Sequence, residues 1–114
     1  MPDAQTDAAN RNHQDFPVLL EGTIANSIRD LLGDSPAQAI LYYLQPDGLG
    51  GDPKVFHTKL STLLGQPSAI IEETVVKELF KRLDVLYVPR GDFDFERYVK
   101  SAREYHSQRR GRHQ

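Results

Sequence analysis

The chain has 114 residues, a length suited to a single domain, with no cysteine and a formal net charge of −2. The lack of cysteine excludes disulfides, iron–sulfur clusters and thiolate zinc sites, and no apolar run approaches the roughly 18–20 residues that a membrane span needs. The polar N-terminus has no signal-peptide layout, so a soluble, cytoplasmic protein is expected.

In residues 1–15, MPDAQTDAANRNHQD, only Met1 is a large apolar residue, and such a segment cannot offset the entropy of ordering. A disordered N-terminal arm is expected there. From Pro17 to Gly33, Leu20, Ile24, Ile28, Leu31 and Leu32 recur at spacings of one helical face, and Gly33 supplies a stop. A second helix follows at once, with Ser35 as its expected N-cap, Pro36 in the first turn and Gln38 closing a capping box. Its apolar residues are Ile40, Leu41, Tyr43 and Leu44.

PDGLGGDP is turn chemistry. Asp52 then caps a third helix that carries Val55, Phe56, Leu60, Leu63 and Leu64 and ends at Gly65. The strongest helical pattern spans Ser68 to Leu83. Ile70, Ile71, Val75, Val76, Leu79, Phe80 and Leu83 cover too wide an arc for one-sided packing, which predicts the central helix of the domain. Glu73–Lys77 and Glu78–Arg82 are spaced for ion pairs on its outer side. Val85 to Val88 is β-prone but has no partner strand, so an extended connector is expected. A last helix, capped by Asp92 or Asp94, carries Phe95, Tyr98, Val99, Ala102 and Tyr105.

The predicted fold is therefore all-α: a compact bundle of four to five short helices over residues 16–106, flanked by the arm at 1–15 and a flexible basic tail at 107–114. No internal repeat is present.

No catalytic constellation is assembled by spacing, so a non-enzymatic protein without a cofactor or a metal site is expected. His13, His57, His106 and His113 form no metal-binding pair, and His57 reads as a surface or boundary residue. Glu72 and Glu73 point about 100° apart on a helix and read as a solvated face rather than an acid/base pair. The glycines of PDGLGGDP lack the Lys-Ser/Thr of a P-loop, and Asp47 and Asp52 would repel a phosphate.

The charge is segregated. Residues 1–96 hold eight Lys and Arg against fifteen Asp and Glu, whereas residues 97–114 hold six against one. Arg97, Lys100 and Arg103 share one side of the last helix, and Arg109, Arg110 and Arg112 continue the positive field, with Tyr98 and Tyr105 interleaved. Guanidinium groups beside aromatics suit phosphates or single-stranded bases. An acidic protein surface, the chain's own acidic part, or no specific partner fits the same residues.

LLGDSPAQAILYYL and DPKVFHTKLSTLLGQPSAIIEETVVKELFKRLDV, within residues 31–85, resemble the Nitrososphaera-type output domain, a small helical domain of archaeal signal-transduction proteins. The shared elements are Gly33, Asp52-Pro53 with Phe56, Leu63-Leu64-Gly65 and the apolar central helix. The resemblance implies a regulatory or interaction module and carries over no catalytic residue. The leading expectation is thus a protein-interaction module that docks a partner through a groove between helices or the face around Tyr42, Tyr43 and the central helix, with self-association also open. The alternative is a small nucleic-acid-binding regulator that uses Arg97, Lys100, Arg103, Arg109, Arg110 and Arg112.

Overall fold

Among the described residues five helices follow one another: α1 (Phe16–Leu32), α2 (Asp34–Leu44), α3 (Pro53–Leu64), α4 (Ser68–Arg82) and α5 (Phe95–Arg112). The computed structural model describes residues 15–45, 51–89 and 91–112, with side chains through Gln108. Apart from Asp15, the N-terminal arm expected at 1–15 lies outside the described residues, as do Pro46 to Gly50 of the expected turn and the last two residues of the tail.

The core is the apolar face that the periodicity marked. Leu20, Ile24 and Ile28 of α1 meet Val75, Val76 and Leu79 of α4, all fully or almost fully buried. Burying each such side chain stabilises the fold by about 1.5–3 kcal/mol. α4 packs against α1, α3 and α5 and is the central helix, as its wide apolar arc predicts. One member of that arc departs from the expectation: Ile70 is 64% exposed, because it lies on the outer side of α4 with Glu73 and Lys77. The expected ion pairs are present there, Lys77 Nζ to Glu73 at 3.9 Å and Arg82 Nε to Glu78 at 3.5 Å. In α1, Leu31 and Leu32 are likewise part-exposed.

The helix starts are set by different means. Asp52 caps α3 by accepting from the Lys54 N–H at 2.9 Å, and Asp94 accepts from the Arg97 N–H at 3.2 Å at the start of α5. The capping box expected at Ser35 does not form. α2 begins two residues earlier, at Asp34, and its N-cap is Gly33. Gly33 serves both neighbouring helices: its N–H closes α1 on the Arg29 carbonyl and its own carbonyl accepts from the Ala37 N–H. A backbone at φ 89 and ψ 169 turns one helix directly into the next, and that region is essentially restricted to glycine.

Between α4 and α5, residues 85–89 are extended and belong to no strand. Val85 and Tyr87 turn toward the core, whereas Leu86 and Val88 face outward. Tyr87 joins an aromatic cluster with Phe80 and Tyr98, and Phe93 stacks on Tyr98. The connector thus brings the start of α5 back to α3, where Phe95 lies 5.0 Å from Phe56 between ring centroids.

α5 runs further than its apolar stripe. Phe95, Tyr98, Val99 and Ala102 are buried, and the last core contacts are Tyr105 to Phe80 and His106 to Phe16. The flexible tail was expected to start at Ser107, but the helical backbone continues to Arg112. Gln and Arg are good helix formers, and adding residues to a formed helix needs no new nucleation.

Candidate functional site

α3 and α4 form an antiparallel helical hairpin closed by Gly65, Gln66 and Pro67. Its tight turn aligns residues on the two helices in pairs. Ser61 Oγ lies 3.4 Å from Ser68 Oγ, and one turn further from the loop His57 Nδ1 lies 2.5 Å from Glu72 Oε2. A polar seam therefore crosses an otherwise apolar interface.

The two members of the second pair have opposite surroundings. The Glu72 side chain is 4% exposed and that of His57 is 54% exposed. Burial raises the Glu72 carboxyl above its ordinary value, while the hydrogen bond and the charge of His57 pull it part of the way back. The expectation that Glu72 belongs to a solvated face is thereby overturned. Position 72 lies one turn before Val75 and Val76 and one turn after Ser68, on the buried side of α4, whereas Glu73 points to solvent.

The pair opens on a cleft of about 550 Å³. Gly91 to Asp94 of the connector and Phe95, Glu96 and Arg97 of α5 complete its wall. Phe93 and Phe95 supply apolar surface, Asp92, Asp94 and Glu96 negative charge, and Arg97 a guanidinium. A carboxylate behind one imidazole nitrogen fixes the ring and leaves the other nitrogen to accept a proton or attack an electrophile. Among the described residues no group of three or more His, Cys, Asp or Glu is placed to hold a metal ion.

No family model, curated protein or solved structure matches the chain.

Of the residues singled out by charge, Arg97 reaches the cleft. Lys100 and Arg103 are exposed on the next turns of α5, and the Arg103 guanidinium lies over the Phe16 ring at 5.2 Å. Arg109, Arg110 and Arg112 lie on the helical backbone beyond the core. Tyr42 and Tyr43 stand elsewhere, on the outer side of α2, 81% and 41% exposed. The structure does not bring them to the cleft. His57 and Glu72, fifteen positions apart, were missed as a pair, because only the alignment of the α3–α4 hairpin places them opposite each other. Among the described residues no helix is long and apolar enough to cross a membrane.

Proposed function

We propose that the chain is a non-enzymatic, cytoplasmic interaction module of the regulatory kind, which docks a protein partner through the outer edge of α2. The observation that carries this reading is the pair Tyr42 and Tyr43. α2 spends Ala37, Ile40, Leu41 and Leu44 on the core, yet leaves Tyr42 81% exposed with Tyr43 beside it. Tyrosine brings large contact area and a polar handle at low entropic cost, and it is enriched in interfaces.

Affinity capture with the full-length chain tests it. Partners retained by the wild type and by Lys100→Ala, but lost by Tyr42→Ser/Tyr43→Ser, are the expected result. An unchanged set of partners in the double variant would remove α2 as the docking edge.

A second reading rests on α5. Arg97, Lys100, Arg103, Arg109, Arg110 and Arg112 all belong to one helix whose end extends past the core. Such a helix can lay basic side chains along a phosphate backbone without sequence selectivity. Fluorescence anisotropy on DNA and RNA at two salt concentrations decides between the readings. Nucleic-acid binding that weakens and loses salt dependence in a chain ending at Ser107 would favour α5, and unchanged binding would exclude it.

A further inference from the structure

A buried carboxylate paired with a half-exposed histidine leaves one edge of the ring open to solvent. Here the carboxylate of Glu72 is enclosed and the ring of His57 is half exposed. With Nδ1 against the Glu72 carboxylate, the tautomer that donates from Nδ1 leaves the lone pair on Nε2, which makes no hydrogen bond among the described residues. A carboxylate behind Nδ1–H steadies the ring and strengthens the opposite nitrogen as a base and nucleophile. His106, by contrast, packs edge-on against Phe16.

The cleft also says which electrophile suits this nitrogen. Arg97 and the first turn of the eighteen-residue helix α5 line it, and both stabilise negative charge. Asp92, Asp94 and Glu96 oppose an anion; they and Arg97 are all exposed, so solvent screens both signs alike, and Asp94 is committed to the Arg97 N–H. A single phosphoryl group is tolerated in that balance far better than the chain of charges on a nucleoside triphosphate.

We propose that His57 is a phosphoryl-acceptor site, modified at Nε2 by a donor of the acyl phosphate class. The Nε2 lone pair attacks phosphorus and forms the N–P bond while the P–O bond to the acyl oxygen breaks. The acyl group leaves as a carboxylate. The imidazolium so formed passes its Nδ1 proton to Glu72 Oε2, and from there the proton goes to solvent, leaving a neutral ring that carries the anionic phosphoryl group on Nε2. The raised proton affinity of Glu72 favours that acceptance. This inference goes beyond the docking role of α2 and does not depend on it.

The test uses the full-length chain with acetyl phosphate and Mg²⁺ in one arm and ATP and Mg²⁺ in another. Acid-labile phosphate is followed at each of the four histidines by mass spectrometry, and the isomer by ³¹P NMR. The expected result is labelling of His57 by acetyl phosphate, at Nε2, about 10-fold or more faster than His13, His106 or His113. Glu72→Gln should bring His57 down to the rate of the other three, and His57→Gln should abolish the fast phase. Labelling of His57 no faster than of the other histidines, labelling at Nδ1, labelling by ATP alone, or an unchanged rate in a folded Glu72→Gln chain would each overturn the proposal. Should Glu72→Gln lose its helical circular dichroism, the comparison among the four histidines of the wild type decides alone.

Discussion

Ser61 and Ser68 meet across the α3–α4 hairpin one helical turn from His57 and Glu72, so the two polar contacts form one seam in a single interface. The serine pair is neutral and inexpensive to bury, whereas Glu72 must lose most of its hydration. That difference makes the seam sensitive to pH at one end only.

For Glu72 the sign is unusual for a carboxylate. Its folded-state value is raised above 4.5, so the folded chain binds this proton more tightly than the unfolded chain does. The contribution of Glu72 is therefore favourable below the ordinary glutamate range and is lost as pH rises through the raised value. Urea denaturation of the wild type and Glu72→Gln at several pH values checks this. The wild type should gain on the variant as pH falls through that window, and a difference independent of pH would contradict it.

Ser27 has a buried hydroxyl with no hydrogen-bond partner among the described residues, in α1. Alanine removes the unsatisfied group and is the better helix former. Ser27→Ala should raise stability by about 1 kcal/mol in urea denaturation, and a loss of stability would show that the hydroxyl is satisfied in solution.

Gly33 should resist substitution for a backbone reason alone. A Cβ there would meet nothing within 4 Å among the described residues, yet φ is 89°. Gly33→Ala is expected to cost about 1–3 kcal/mol. A chain of wild-type stability would mean that α1 and α2 can be joined by another conformation.

The aspartate caps differ in geometry and should differ in worth. Asp52→Ala removes the shorter bond, to the Lys54 N–H, and should destabilise by about 0.5–2 kcal/mol. Asp94→Ala should fall at the lower end of that range, since its bond to the Arg97 N–H is 3.2 Å. Equal losses in chemical denaturation would indicate that bond length is not what sets the cap's contribution.

What could be read from the sequence follows the kind of information involved. The five helices, the central place of α4 and the Asp52 cap rest on spacings within a dozen residues or on single-residue chemistry, and the structure has them. The failed cap at Ser35 shows the limit of local rules, because Gly33 lets α1 pass into α2 too abruptly for a separate capping residue. Glu72 shows another limit. Its place beside Val75 and Val76 in the buried register was readable, but an acid in that register makes sense only with His57 opposite, and that pairing exists only once the hairpin closes. The length of α5 was underestimated because apolar content measures what a helix buries, not where its backbone stops.

The two sides of the cleft are held by different means. α3 and α4 are joined by a short turn, whereas the start of α5 is held against α3 through Phe95 on Phe56, the largest fully buried side chain among the described residues. Any event that loosens α5 therefore dissolves the wall formed by Phe95, Glu96 and Arg97 while the α3–α4 hairpin still holds His57 against Glu72.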